Sequence, residues 1–438
     1  MPSVDDLLQA LGDGVLPAGA LRTALGISPP TLARVIAAAG DAVLRIGRAR
    51  ATSYARTREL QGLGRNLPVF RIDARGATAP AGRLHLVQAR GPAWEQGPAT
   101  AVHAGLPPAI VDMAPQGYLG RAFASRHAAE LGLPRRLQDW SDDHALIALA
   151  RRGEDCVGDL ILGDESLRRW HEGHEVEVSP HDYPTLARAA TEGDAGSSAG
   201  GERPKFGACS AGRRVLVKFA LEGASPGARR WRDLLWCEWK ALELLSAAGV
   251  PAPAARILDV AGARFLEVER FDRVGLRGRR PVLSLLAVLN EYVGHADSWT
   301  TAAARLGAAP LHLPAKDARR LVGLDVFGQL IGNTDRHFGN VTFFAEPGRP
   351  LRLAPAYDML PMILAPSLET NELVERPFAP AGPDGRTLPV WSEAAEWAIR
   401  YWRALAGEEG LSREVRAFAR DAAAKVVGVR ARVEPQAP

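Results

Sequence analysis

A lysine set inside an apolar strand constrains this chain more than any other feature. In Val215-Leu216-Val217-Lys218-Phe219 an ammonium group is surrounded by apolar residues. An unpaired buried charge is strongly destabilising, or shifts its pKa until it is neutral. The run therefore calls for a carboxylate from whatever packs on it. The following helical stretch, Arg230 to Ala247, offers one. Leu234, Glu238, Leu242 and Leu245 recur at spacings of four, four and three residues, so Glu238 lies in the apolar stripe. Its carboxylate is expected to face the core, where Lys218 can meet it. The alternative is a solvent-facing lysine at a strand edge.

Further acids lie downstream in Asn333-Thr334-Asp335-Arg336-His337-Phe338-Gly339-Asn340. An Asp followed five residues later by an Asn repeats the spacing of the protein-kinase catalytic loop. There the Asp accepts or orients the proton of the substrate hydroxyl, and the Asn holds magnesium. Tyr357-Asp358-Met359 follows the apolar run Leu351 to Ala356 and puts an acid where kinases carry their second metal ligand. Phosphoryl transfer needs such groups because charge spreads over the γ-phosphate oxygens, and hard oxygen ligands fix the magnesium that neutralises it. The competing reading is a polar turn between buried helices, with Asp335 as a helix cap. In the kinase reading, Lys218 and Glu238 form the strand-to-helix pair that sets the lysine on the α- and β-phosphates. Ala263 to Arg273 alternates as a strand and breaks at Gly275. It would be the hinge, with Glu269, Arg270 and Phe271 lining the adenine slot. Thr191 to Pro204 is rich in small and charged residues, and its glycines allow backbone amides to approach a ligand closely.

The N-terminal sixty residues read differently. Asp5 to Leu11 is a short amphipathic helix and Pro17 to Leu25 a second. Gly26-Ile27 breaks the chain, and Ser28 can cap a third helix that tolerates Pro29 and Pro30 in its first turn and ends at Gly40. Helix, glycine turn, helix is the helix-turn-helix pattern, with Thr31 and Arg34 on the exposed face of the groove-entering helix. Arg45, Arg48, Arg50, Arg56 and Arg58 follow with no acid among them, on a hairpin expected around Val43 to Gly47. Thr31, Arg34, Arg45, Arg48 and Arg50 are the candidate contacts to double-stranded DNA. The alternative is a three-helix packing module with a solvated basic edge. A net charge of +4 over 438 residues is too small to decide, so placement of the arginines carries the argument.

Between these ends, Arg83 to Val87 and Cys156 to Leu162 read as strands, and Gly120 to Leu131 and His144 to Arg151 as helices. His171, His174 and His181 lack the spacing that sets two metal ligands on one helix face, and a solvated loop is expected there. Beyond residue 280 the pattern is helical with long loops. The three cysteines, Cys156, Cys209 and Cys237, are odd in number and widely spaced, which argues against a disulfide framework. With neither a signal-like N-terminus nor a membrane-length apolar run, a cytoplasmic protein is expected.

Taken in order, these segments resemble the HipA family of toxin kinases. Asn333 to Asn340 matches that family's catalytic loop, Tyr357-Asp358-Met359-Leu360-Pro361 its metal-ligand segment, and Val268 to Arg273 its hinge. Ser198-Ala-Gly-Gly-Glu-Arg-Pro-Lys205 matches its glycine-rich loop, and Gly105 to Leu119 its extra N-terminal subdomain. The resemblance covers roughly residues 65 to 430. Together with the reading of the N-terminal residues, it implies an α+β architecture: a winged helix-turn-helix over 1–60, a mixed α/β subdomain over 61–185, a kinase N-lobe over 186–280 and an all-helical C-lobe over 281–438. It implies ATP and Mg2+ as cofactors and serine/threonine phosphorylation of a protein, with aminoacyl-tRNA synthetases among the family's targets. Asp335, Lys218 and Glu238 would be the catalytic set and Asn340 and Asp358 the metal ligands. Gly200, Gly201, Lys205, Lys218, Glu269, Phe271 and His337 would contact the nucleotide. The family also implies autophosphorylation, at Ser198 by position with Ser197 as the fallback, where an added charge of about −1.5 to −2 beside the ATP phosphates would eject the loop. In the usual arrangement the DNA-binding part is a separate antitoxin; here it precedes the kinase on one chain, as in the family's solo members. Two other classes stay open: a DNA-binding regulator whose kinase-like body only senses nucleotide, and a metal-dependent nuclease.

Overall fold

The computed structural model describes residues 2–88, 91–173, 176–191, 204–309, 311–367 and 370–433. They fall into two units, Met1–Pro115 with His127–His174, and Gln116–Arg126 with Glu175–Pro438.

The first unit begins with helices Val4–Leu11, Ala18–Leu25 and Pro29–Ala39. Their apolar stripes bury Leu7, Leu11, Leu21 and Leu32 in a small core of their own. Gly26 ends the second helix in the left-handed region at φ 62°, which turns the chain toward the third. Ser28 stands at the expected cap position, but its side chain caps no backbone amide. Prolines at the first helical positions bring no N–H, and the Ser28 hydroxyl pairs with that of Thr31 at 3.0 Å instead. Val43–Ile46 and Ser53–Arg56 then form an antiparallel pair, and Val15–Pro17 adds to its other edge.

Hydrogen bonds join this N-terminal module to the rest of the first unit. Thr57 bridges Val87, Arg58 N donates to Leu86 O at 2.8 Å, and Gln88 N donates to Arg56 O at 2.8 Å. Ala55, Val87 and Ala93 share one buried cluster, with Leu44, Ile46 and Val102 against it. Beyond lies a five-stranded antiparallel sheet built from Asn66–Ile72, Thr78–His85, Ala93–Gln96, Ala99–Val102 and Leu160–Leu162. The helix Asp142–Arg152 packs its Leu146 and Leu149 against the sheet's Val69, Leu84 and Trp94. The strand expected over Cys156 to Leu162 is confined to its last three residues. Gly158 takes φ 81°, which breaks the extended run before it can pair.

In the second unit, strands Lys205–Ser210, Arg213–Ala220, Ala255–Val260 and Ala263–Glu269 form an antiparallel sheet with the lysine strand and Ala263–Glu269 at its centre. Both faces are covered, so Ala263–Glu269 is buried nearly throughout and does not show the in-out burial its alternating sequence suggests. On one face lies the long helix Pro226–Ala247, capped by Ser225, whose hydroxyl accepts from Ala228 N at 3.1 Å. Its Leu235 packs with Ala220, Leu266 and Val268. On the other face lies Tyr183–Thr191, with Tyr183 and Ala187 against Phe206, Phe219 and Phe265. Helices Trp299–Leu306, Ala315–Leu330, Leu388–Gly407 and Arg413–Val433 follow in the remainder. The region after residue 280 is not all-helical, however. Val282–Ser284, Thr342–Phe344 and Arg352–Leu353 pair as a three-stranded sheet. Strands of two or three residues leave no periodic trace in a sequence; pairing across the fold creates them.

Candidate active site

Lys218 and Lys205 are direct cross-strand partners, so their side chains share one face of the sheet. The helix Pro226–Ala247 brings Glu238 to that face, and Lys218 Nζ donates to Glu238 Oε1 at 2.6 Å. Both side chains are buried, at 6% and 1% exposure. Lys218 also donates to Asp358 Oδ1, which arrives from far along the chain. One ammonium group thus bridges two carboxylates. Burial pulls the Lys218 pKa down, but Asp358 and Glu238 outweigh it and hold it above the ordinary lysine value. For Asp358, desolvation pushes the pKa up, yet the charges of Lys218 and Lys205 bring it to about 2. Glu238 is raised, by burial first and by Asp358, against the lowering effect of Lys218. Its second oxygen, Oε2, has no hydrogen-bond partner among the described residues.

Asp358 takes φ 54°, a conformation that costs a non-glycine residue energy. Asn333, fully buried, supports it: its Nδ2 donates to Asp358 O at 3.1 Å, while its Oδ1 accepts from Asp335 N at 3.1 Å. A single side-chain amide therefore ties the Asp358 backbone to the Asp335 loop. Asn340 Nδ2 donates to Asp335 O at 2.8 Å, closing that loop on itself. His337 Nδ1 accepts from Gly339 N at 3.1 Å, and its carbonyl accepts from Trp299 Nε1 at 3.2 Å. Tyr357 OH donates to Gly339 O at 2.7 Å, and its ring lies 5.7 Å from that of Phe271.

The structure thus links Lys218, Glu238 and Asp358 directly, Asp335 and Asn340 to Asp358 through Asn333, and Phe271 to Tyr357. Lys205 lies on the same face as Lys218. Glu269 is placed apart: strand alternation sends its side chain to the opposite face, where it pairs with Arg213 at 3.4 Å. Only its backbone is then available to a slot on the lysine side. Gly200, Gly201, Ser197 and Ser198 lie outside the described residues. In the first unit Arg34, Arg45 and Arg48 are exposed and Thr31 is half-buried; the side chain of Arg50 lies outside those described. Arg58 is engaged elsewhere, in a two-pronged pair with Asp143 at 2.8 and 2.5 Å. Asn333 and Tyr357 lie within the motifs read from the sequence but were given no role there; an amide two residues before the loop acid was the available signal.

Asn340 Nδ2 is engaged with Asp335, which leaves its amide oxygen as the ligating end, and Asp358 offers a carboxylate that is 27% exposed. Two hard oxygen donors suit Mg2+, which is held by one or two protein groups and completed by water and phosphate oxygens.

Residues 197–429 match the model of the HipA-like C-terminal domain, and residues 63–171 that of the middle domain of YjjJ-like toxins. The chain belongs to the HipA-like family of toxins. Within it, the chain is similar to toxin YjjJ of Escherichia coli K12, at 34% identity over 443 aligned residues covering 97% of each chain. Among solved structures it is similar to HipA of Shewanella oneidensis MR-1, from a complex with HipB and operator DNA, at 15% identity. That match covers 89% of this chain and 94% of the other, with a TM-score of 0.47. It is also similar to the Helicobacter pylori kinase CtkA, at 13% identity over 52% of this chain and 94% of that one, with a TM-score of 0.38.

Proposed function

We propose that the chain is an ATP- and Mg2+-dependent protein kinase that phosphorylates serine or threonine and acts as a growth-arresting toxin. The observation that carries this reading is Lys218 spanning Glu238 and Asp358, with Asn333 joining Asp358 to the loop of Asp335 and Asn340. Lys218, fixed by Glu238, would hold the α- and β-phosphates, and Lys205 would add positive charge beside them. Asp335 would accept or orient the hydroxyl proton of the acceptor. Asn340 and Asp358 would hold magnesium, which when bound neutralises charge on the phosphate oxygens. Phe271, backed by Tyr357, would form one wall of the base slot. The acceptor is proposed to be a protein, with an aminoacyl-tRNA synthetase the class that the family resemblance implies. Self-labelling is assigned to Ser198, with Ser197 as the fallback.

Purified chain incubated with labelled ATP should yield phosphoserine or phosphothreonine, and Asp335→Asn should abolish it. Nucleotide binding without transfer would favour the nucleotide-sensing regulator instead. Nicking of a plasmid incubated in parallel would favour the nuclease. Ser198→Ala should remove the self-label, and an unchanged label in both Ser198→Ala and Ser197→Ala would end that assignment.

We also infer that the N-terminal module is a winged helix-turn-helix that binds double-stranded DNA. In support, Pro29–Ala39 follows a glycine turn and presents Arg34 to solvent, while the neighbouring hairpin presents Arg45 and Arg48. Replacing Arg45 or Arg48 by Ala should weaken DNA binding and flatten its dependence on log salt by about one for each phosphate that the arginine neutralises. An unchanged salt slope in both variants would remove those arginines from the interface.

A further inference from the structure

We infer that Asp325 is a positioning residue for phosphoryl transfer, acting on the Asp335 loop through Arg336. The inference rests on the kinase reading above and assigns a role that the motif residues do not cover.

Asp325 lies inside the helix Ala315–Leu330, ten residues before the loop acid, and is 2% exposed. A buried carboxylate needs partners, and this one divides its two oxygens between different elements. Oδ2 accepts from Thr300 N at 3.0 Å and Thr300 Oγ1 at 2.7 Å, at the start of the helix Trp299–Leu306. Oδ1 accepts from Arg336 Nε at 3.2 Å. Arg336 directly follows Asp335, and its Nη1 donates to Asn333 O. The guanidinium therefore grips the loop one residue after the acid and two before it, with Asp325 as its fixed anchor.

The helix surface is shaped for this crossing. A methyl group on Gly328 would come within 2.5 Å of Arg336 Cδ, so the arginine stem lies flat over a position that only glycine leaves open. The same N-terminal turn that Asp325 holds through Thr300 also carries Trp299, whose indole donates to His337 O at 3.2 Å. Asp325 thereby steadies the loop along two routes, one through Arg336 and one through Trp299. None of Asp325, Arg336, Thr300 and Trp299 is among the residues assigned above to the nucleotide, the metal or the acceptor. The expected consequence is loss of turnover with nucleotide binding kept, since a misplacement of about 1 Å at the reacting groups can cost about 100-fold in rate.

The test compares kcat and KM for ATP in the full chain carrying Asp325→Asn, Arg336→Ala and Thr300→Val. Transfer by the unaltered chain is measured first; its absence would sink the kinase reading itself, apart from this inference. Given transfer, Asp325→Asn and Arg336→Ala should each lower kcat by about 100-fold while leaving KM within about threefold. The double variant should be no slower than Asp325→Asn alone, because Arg336 acts within one of the two routes that Asp325 holds. Thr300→Val, which removes only the hydroxyl contact, should stay within about threefold of full turnover. Guanidinium ion added to Arg336→Ala should recover part of kcat, which a purely structural loss would not allow. Should Asp325→Asn fail to fold, Arg336→Ala and its rescue decide alone. Full turnover in Arg336→Ala, a change confined to KM, or additive losses in the double variant would overturn the assignment.

Discussion

The two faces of the four-stranded sheet in the second unit each bury a carboxylate, and they treat it in opposite ways. On the tyrosine face, Glu267 is saturated. Arg256 donates to both of its oxygens at 2.8 Å, and Tyr183 OH donates to Oε2 at 2.5 Å. On the lysine face, Glu238 has one hydrogen-bond partner among the described residues for its two oxygens, and the charge that partners it is shared with Asp358 in a strained backbone conformation. A fully bonded carboxylate clamps the helix Tyr183–Thr191 and gains nothing from a further ligand. In the proposed kinase, the under-satisfied cluster with its shared cation is the one that would take up a ligand. Among the described residues, buried charge is fully bonded in the first case and only partly bonded in the second.

Substitutions on each side can break that contrast. The largest effect is expected from Lys218→Met, which should reduce phosphoryl transfer by about 1000-fold, in line with loss of a preorganised charge at a transferring group. Glu267→Gln should do the reverse: denaturant unfolding should show a loss of about 3 kcal/mol, while transfer per folded molecule stays the same. Equal loss of transfer in both variants would dissolve the distinction between the faces. Tyr183→Phe is a gentler version, expected to cost about 1 kcal/mol in the same unfolding measurement.

Tyr183 also sharpens the contrast through pH. Burial, with the Glu267 carboxylate beside it, pushes its pKa from 10.0 up to about 12. The folded chain therefore keeps the phenol protonated where the unfolded chain ionises it. The resulting stabilisation is complete below pH 10 and is lost as pH rises toward 12. Stability measured across that window should fall less steeply in Tyr183→Phe than in the unaltered chain. The smallest effect belongs to Arg213→Ala. This arginine is 38% exposed and 3.7 Å from Glu267, so its removal should change stability by less than about 1 kcal/mol.

The lysine face was more legible in the sequence than the tyrosine face. An ammonium group in an apolar strand and a glutamate in a helical apolar stripe are both local patterns, and each demands a partner. Asp358 was legible as an acid beyond the loop, but its contact with Lys218 was not, because that depends on a left-handed backbone and on a chain return across 140 residues. Tyr183 and Glu267 gave no comparable signal. A tyrosine opening a short helix and a glutamate in an alternating strand look solvent-facing until the helix is laid over the sheet. The same reason hid the small sheet of Val282–Ser284, Thr342–Phe344 and Arg352–Leu353. For Glu269 the alternation was visible, yet which face would meet the lysine could only follow from the register of Val215 with Glu269.

The stitching of Arg56 to Arg58 along Leu86 to Gln88 makes the N-terminal module a poor candidate for excision. A protease nick just after Arg58 should leave the fragments associated, since Ala55 stays seated beside Val87 and Ala93. A fragment beginning at residue 59, produced alone, would present a raw strand edge and a stripped apolar patch, and should aggregate. Any attempt to graft a different module onto this body would have to rebuild that seam, and a flexible tether would not substitute for it.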